Sequence, residues 1–380
     1  MKVLSVFGVE PLRIGGTETF ARELSVQLRD RGWESILCFQ SKPPDDVRQF
    51  LEAPNVTLEV LEDSIDLNWG AASGLWRILR RHQPEILHLH FTGFLGIYPW
   101  LGRLASAKKV FFTDQTSRPE GYVPAAAPGW KKALVRLINL PLDKVTCVSN
   151  YGHNCMVTLD VLPGDRYEMI YNSVDRSRVE PDPARATEFR RRYSIPEDRV
   201  VVVQVSWIIP EKGIADLLRA AKIVISKNPA VHFVFVGEGA NRGQYTNDAE
   251  AMGIGAHITW TGLLKDPFGE GVYDVADILC QVSRWEEVFG WVIAEGMAYG
   301  KPVVGTRVGG IPEVVADQES GFIVDRGDAA AIADRILTLV ENPKLRDEMG
   351  KTGAERVKNL FDLRPNVTRL IQLYGIDGNK

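Results

Sequence analysis

Short apolar runs alternate with amphipathic stretches along most of the chain, and this alternation leaves few folds open. Residues 2–7, 35–39, 86–90, 109–113 and 144–149 read as buried strands. Between the first two, residues 17–31 carry Phe20, Leu24, Val26 and Leu28 at helical spacing, with Gly32 as the stop. Residues 74–82 read as another helix. Apolar strands that alternate with helices imply a parallel sheet covered on both faces. The rhythm breaks between residues 171 and 196, where Asp175, Arg176, Pro181, Asp182 and Pro183 precede the run Arg190-Arg191-Arg192. That composition suggests a linker followed by a polar surface helix. The alternation then restarts with strands at 200–205, 231–236, 258–260, 278–281 and 302–305 and a helix at 213–227. Both halves therefore read as doubly wound α/β units; one large α/β domain is the alternative.

Composition supports two or three domains in 380 residues and excludes several function classes. With 45% hydrophobic and 25% charged residues the chain is neither disordered nor fibrous. Forty-five basic against 49 acidic residues give a net charge of −4, so there is no bulk basic footprint for nucleic acid. Cys38, Cys147, Cys155 and Cys280 form no C-x-x-C pair and read as reduced thiols. Residues 2–7 look like a strand rather than a signal peptide. The uncharged stretch 86–102 holds His, Gly and Pro, so it is a poor membrane span. The expectation is a cytoplasmic chain.

Three stretches could carry chemistry. The first strand runs into Gly15-Gly16-Thr17-Glu18, a glycine-led helix start of the kind that binds anions. It is not G-x-G-x-x-G, which argues against a nicotinamide enzyme. In the second half a strand leads into Ser206-Trp207-Ile208-Ile209-Pro210-Glu211-Lys212-Gly213, placing a lysine in the turn before a helix, where its charge suits a phosphate. The third runs from Ser283 to Ala298 and holds Glu287 and Glu295 eight residues apart. A helix starting near Gly290 would set Glu287 at its mouth and Glu295 inside it, with the Phe289 and Gly290 amides at the entrance. The bland alternative makes Glu287 a helix cap and Glu295 a solvated residue.

The run from Trp285-Glu286-Glu287 through Gly309-Gly310-Ile311-Pro312-Glu313 resembles glycosyltransferase family 4. So do Gly15-Gly16-Thr17-Glu18, Pro210-Glu211-Lys212-Gly213 and Gly237-Glu238-Gly239, and the likeness extends over nearly the whole chain. The resemblance implies an α/β GT-B fold, two Rossmann-like doubly wound domains facing across a cleft. It implies an acceptor domain at 1–175, a nucleotide-sugar domain at 185–360 and a terminal helix in 361–380 that crosses back. It implies a retaining transferase of hexosyltransferase type that uses a nucleotide sugar, UDP-sugar ahead of GDP-sugar. The acceptor would be a glycan, a lipid-linked or a small molecule. Residue by residue, it implies that Glu287, with Val288, Phe289 and Gly290, holds the donor sugar. Glu295 would hold the ribose, Lys212 the diphosphate, and Gly15 and Gly16 the same group from the other half. Gly237, Trp207 and Leu264 would frame the donor; His90, Gln115 and Arg118 would face the acceptor. No metal is needed, because cationic side chains and helix dipoles hold the diphosphate.

Three departures stand out, one of them Asn172-Ser173 in place of the family's Asn-Gly pair before the linker. Ser206-Trp207 replaces the family's Gly-Arg, leaving Arg13, Arg284 or Arg307 to supplement Lys212. Asp114 or Gln115 occupies the place of a frequent catalytic His, and Asp114 is the catalytic candidate there. Residues 128–141 carry Leu134, Leu137, Ile138 and Leu140 beside Lys131, Lys132 and Arg136, a candidate peripheral membrane contact. Phe94, Trp100, Tyr122 and Trp130 are candidates for stacking on an acceptor sugar. The rival readings are a non-catalytic GT-B partner subunit and a sugar-nucleotide epimerase.

Overall fold

The computed structural model describes residues 1–65, 68–93, 96–126 and 128–376; Phe94 lies outside them. The chain divides into two compact units. Unit 1 comprises Met1–Thr116, Val123–Asn172 and Leu363–Lys380, and unit 2 comprises Ser117–Tyr122 and Ser173–Asp362.

Unit 1 is built on strands β1 (Lys2–Phe7), β2 (Glu34–Phe39), β3 (Val56–Val60), β4 (Ile86–His90), β5 (Lys109–Asp114), β6 (Lys144–Cys147) and β7 (Tyr167–Met169). They form a parallel sheet in the order β3-β2-β1-β4-β5-β6-β7. The order reverses between β1 and β4, and ligands of open α/β sheets bind beyond the strand ends at such a point. Unit 2 holds β8 (Val200–Val205), β9 (Val231–Val236), β10 (Ile258–Gly262), β11 (Ile278–Gln281), β12 (Val303–Thr306) and β13 (Gly321–Val324). Their order is β10-β9-β8-β11-β12-β13, again parallel, with the reversal between β8 and β11.

The apolar runs read from the sequence are strand cores, but several boundaries move for local reasons. Residues 144–149 do not extend as one strand. Ser149 leaves the sheet because its hydroxyl accepts from the Gly152 N–H (3.0 Å) and caps the helix Asn150–Leu159. The helix expected from residue 74 begins at Trp69, since Asn68 Oδ1 accepts from the Ala71 N–H at 2.6 Å. Strands β3, β7 and β13 carried no legible signal: β3 is an edge strand with an exposed Thr57, and β7 and β13 are very short. The arginine-rich run lies in the helix Pro183–Arg192, started by Asp182 and anchored by buried Phe189.

The C-terminal helix Leu363–Leu373 completes unit 1. Leu363, Val367, Leu370, Ile371 and Tyr374 join Val3, Leu24, Leu28, Ile86 and Phe111 in one buried cluster. Polar contacts orient it: Gln27 Nε2 donates to the Arg364 carbonyl (2.9 Å) and Thr368 Oγ1 donates to Gln27 Oε1 (2.8 Å). Tyr374 Oη lies 2.5 Å from Nδ1 of the fully buried His88, whose Nε2 is 2.6 Å from Thr113 Oγ1. Both ring nitrogens of His88 are therefore engaged within the core. Tyr374→Phe should strand one imidazole nitrogen and lower stability by roughly 1–3 kcal/mol. Urea unfolding with an unchanged slope is the check.

Candidate active site

The C-terminal ends of β8 and β11 carry the densest set of chemistry-bearing side chains in unit 2. Strand β8 leads through Ser206 and Trp207 into a 3₁₀ turn, Pro210–Lys212, and then into the helix Ile214–Lys227. Gly213 joins the two at φ +70°, and a Cβ there would sit 1.8 Å from the Val282 carbonyl. Only glycine fits both the left-handed backbone and this close approach. The Lys212 turn is thereby locked against β11, and the Glu211 carbonyl accepts from the Arg284 N–H at 2.8 Å.

Lys212 Nζ lies 2.5 Å from Glu287 Oε1. Glu287 is 6% exposed, so its carboxylate needs several donors to stay charged. Ser283 Oγ donates to Oε1 at 2.7 Å and Ser117 Oγ to Oε2 at 3.0 Å. Burial works to raise its pKa, but the Lys212 charge and these hydrogen bonds outweigh burial and hold it below the ordinary glutamate value. The Glu287 backbone is clamped as well. The Gly310 N–H donates to its carbonyl at 2.7 Å, and a Cβ on Gly309 (φ +50°) would fall 2.0 Å from that oxygen. The Gly-Gly of the Gly309–Glu313 run thus serves to seat Glu287.

Glu295 lies in the helix Trp291–Ala298, buried, and accepts a short hydrogen bond from the Tyr273 hydroxyl. Gly290 precedes that helix in the left-handed region (φ +92°). Glu287 is not the helix cap, and Glu295 is not a solvated residue. Val288 and Phe289 are buried, with the Phe289 ring against Phe361 (5.3 Å). Trp207 is half-exposed on a rigid base, since Cβ atoms on Gly237 and Gly239 would collide with the Ser206 and Ile208 carbonyls. Leu264 is buried just beyond β10.

Sequence reasoning missed Ser117, Ser283, Tyr273 and the role of Glu286. The Glu286 carboxylate accepts from Arg326 Nη1 (2.9 Å) and from the Gly309 N–H (2.8 Å), while its backbone pairs antiparallel with Arg118. Glu286 thereby draws Ser117 toward Glu287. Ser117 and Glu287 lie 170 positions apart, and no spacing rule could have joined them. Ser283 stood inside the informative stretch but carried no signal of its own. Arg118, anticipated with the N-terminal acceptor residues, groups with unit 2 through this pairing.

Arg284 is not available to supplement Lys212 as anticipated. Its Nε lies 2.9 Å from the buried Asp216, and Nη1 lies 3.5 Å from Glu120. Arg307 is exposed and pairs with Asp325 at 3.4 Å. A cavity of about 460 Å³ flanks the Lys212 turn, lined by Glu211, Asp216, Arg219, Tyr245, Arg284 and Trp285 among others. Its Arg219 and Arg284 charges are taken by Asp216, and neither Lys212 nor Glu287 lines it.

The remaining candidates belong to unit 1, Arg13 among them. Gly15 caps the helix Gly16–Arg29, and its N–H donates to Glu18 Oε2 at 3.0 Å. His90 ends β4, buried between Phe7 and His88 with ring centroids at 4.7 and 3.9 Å. Burial pushes its pKa down to about 3, against the neighbouring Gln115, which favours the charged form. Gln115 Nε2 donates to Asn172 Oδ1 at 3.3 Å, and Asp114 is buried at the end of β5. Gly15, Gly16, His90, Asp114 and Gln115 thus share unit 1, whereas Lys212, Glu287, Glu295 and Arg118 share unit 2.

Two family models match the chain. Glycosyltransferase Family 4 matches residues 14–178 and Glycosyl transferases group 1 matches residues 185–356. The chain belongs to the group 1, family 4 glycosyltransferases. It is 26% identical over 370 residues to N-acetyl-alpha-D-glucosaminyl L-malate synthase of Bacillus anthracis, covering 95% of this chain and 94% of that one. It is 28% identical to a GDP-mannose-dependent phosphatidylinositol monomannoside mannosyltransferase of Mycolicibacterium smegmatis, covering 80% and 79%. Its fold matches Anabaena HepE in complex with UDP-glucose at a TM-score of 0.78 and 18% identity, over 99% of each chain. The two doubly wound units are those of a GT-B glycosyltransferase.

Lys212→Met should leave the Glu287 carboxylate buried without its cation and cost about 3 kcal/mol, at the low end of values for broken buried pairs. Lys212→Met combined with Glu287→Gln should recover most of that loss; a double-mutant cycle in urea measures it. In unit 1, His88 and His90 are held neutral, below their ordinary value of 6.5. The unfolded chain therefore takes up protons first, so stability present above pH 6.5 declines as pH falls toward about 3. His90→Asn should flatten the upper part of that decline, between about pH 6.5 and 5, where carboxylates do not yet titrate.

Proposed function

We propose that this glycosyltransferase is a retaining, metal-independent enzyme that takes its sugar from a nucleotide sugar, a UDP-sugar before a GDP-sugar. The observation that carries the reading is the Lys212–Glu287 pair at the β8/β11 reversal, with Glu295 one helix further on. A diphosphate entering beside Lys212 offers the ammonium a second anionic partner. Lys212 then stabilises the charge that develops as the bond from the anomeric carbon to the diphosphate oxygen breaks. Glu287, held charged by Ser283 and Ser117, accepts hydrogen bonds from donor-sugar hydroxyls. Phe289 and Gly290 lie at the mouth of the helix Trp291–Ala298, whose first amides suit an anion or a hydroxyl. Glu295, oriented by Tyr273, accepts from ribose hydroxyls.

As the leaving bond breaks, an acceptor hydroxyl forms the new bond to the anomeric carbon from the same face of the sugar, as retention requires, and its proton passes to the departing diphosphate oxygen. Asp114 is the candidate group on the acceptor side, with His90, Gln115 and Arg118 as acceptor contacts. Gly15 and Gly16 are candidates for the donor phosphate. The preference for UDP is supported by the UDP-glucose bound to HepE, and the GDP-mannose-dependent relative keeps a GDP-sugar second.

Calorimetry with UDP, GDP, ADP and TDP, each with and without magnesium, tests the donor site. Metal-independent binding of UDP is expected, weakened about tenfold or more by Glu295→Ala, which removes a charged hydrogen-bond acceptor. Glu287→Ala should abolish most transfer while leaving nucleotide affinity nearly intact. Full transfer by Glu287→Ala, or binding of every nucleotide only with magnesium, would overturn the reading.

A further inference from the structure

The helix Gly129–Ile138 in unit 1 is amphipathic, but it is turned the opposite way from an ordinary surface helix. Lys132, Val135, Arg136 and Asn139 follow the i, i+3, i+4, i+7 spacing of one helix face, and that face meets the protein. Lys132 and Arg136 both pair with Asp160, Val135 packs on the unit 1 core, and Asn139 is fully buried. The opposite face carries Trp130, Leu134 and Leu137, exposed at 69%, 50% and 58%. Not one residue of the helix itself is buried. Charges anchor it inward, and its large apolar side chains point to solvent.

The outward apolar surface continues past this helix. Trp100 Nε1 donates to the Ile138 carbonyl at 2.8 Å, and Leu104, one turn beyond Trp100, is 67% exposed. Leu140 is exposed as well. Exposed apolar side chains grouped in this way mark an interaction surface. Its rim is basic. Lys131 Nζ lies 5.4 Å from the Trp130 ring, and Arg166 Nη1 donates to the Leu142 carbonyl at 2.8 Å, beside Leu140.

We propose that this face docks on a membrane surface bearing anionic headgroups, with the Trp130, Leu134 and Leu137 face entering the headgroup–acyl boundary. Indole beside ammonium suits that depth, where the ring is apolar and the cation meets lipid phosphate. A second copy of the chain fits less well, because face-to-face pairing would set the Lys131 and Arg166 rims against each other. Three apolar side chains on a ten-residue helix give reversible attachment rather than insertion. Lys212, Glu287 and Glu295 belong to unit 2, whereas this face belongs to unit 1.

Co-sedimentation of the full chain with vesicles tests it. Binding is expected to phosphatidylcholine–phosphatidylglycerol vesicles, and at least about tenfold weaker binding to phosphatidylcholine alone, from the loss of attraction for the basic rim. The triple variant Trp130→Ser, Leu134→Ser, Leu137→Ser removes only exposed side chains, so its melting temperature should be unchanged. Its binding to the mixed vesicles should fall about tenfold or more, given the apolar area removed. Lys131→Glu should weaken binding to the mixed vesicles while leaving binding to neutral vesicles unaltered. Wild-type chain remaining in the supernatant, or the folded triple variant binding as well as wild type, would overturn the proposal. So would a wild-type dimer in sedimentation equilibrium that the triple variant fails to form, since the face would then belong to a second copy.

Discussion

The buried carboxylate of Glu287 is the demand around which unit 2 is organised. Taking a carboxylate out of water is costly unless a cation and several donors meet it. Lys212 supplies the cation, and Ser283 and Ser117 supply hydroxyls from two separate stretches of chain. Each supplier needs its own support. Gly213 lets the Lys212 turn close on Val282, Gly309 lets its loop pass under the Glu287 carbonyl, and Glu286 ties the Ser117 loop in place. Two glycines and one neighbouring glutamate are thus consequences of a single charge.

Unit 1 solves the opposite problem. Its centre is polar but uncharged: His88, Thr113, Thr146 and Tyr374 form a chain of short contacts, with His90 stacked alongside. Burial keeps both imidazoles neutral, and the His88–Tyr374 hydrogen bond joins the apolar cluster in holding the C-terminal segment to the sheet. The two units share a doubly wound plan but differ in electrostatic character, one built around a charged pair and the other around neutral rings.

The departures from the family pattern take on physical meaning in this setting. Trp207 replaces a usual arginine on a turn held rigid by Gly237 and Gly239, so it presents an indole where a guanidinium would otherwise stand. Arg284 does not compensate, because Asp216 is buried and must be neutralised first. Arg307 is likewise engaged, by Asp325, so neither arginine of unit 2 stands free to supplement Lys212.

Much of the fold was legible because buried parallel strands are continuous apolar runs. Residues 200–205, 231–236 and 278–281 are strands with the bounds read from sequence. Lys212, Glu287 and Glu295 were legible because chemistry-bearing residues stood beside glycines at strand-to-helix turns. Edge strand β3 and the short β7 and β13 were not, since a few residues with one open edge leave no distinct pattern. Nor could sequence show that Ser117 reaches Glu287, that Glu286 is structural, or that Arg284 is engaged. Those facts depend on contacts between residues 23 to 170 positions apart. The sequence by itself determined the alternation of strands and helices and the residue types at each strand end, because local periodicity and turn chemistry encode both. Tertiary structure alone decided which donors surround Glu287 and which face of the helix Gly129–Ile138 turns outward. Such choices depend on which distant partner, here Asp160 for Lys132 and Arg136, the folded backbone brings within reach.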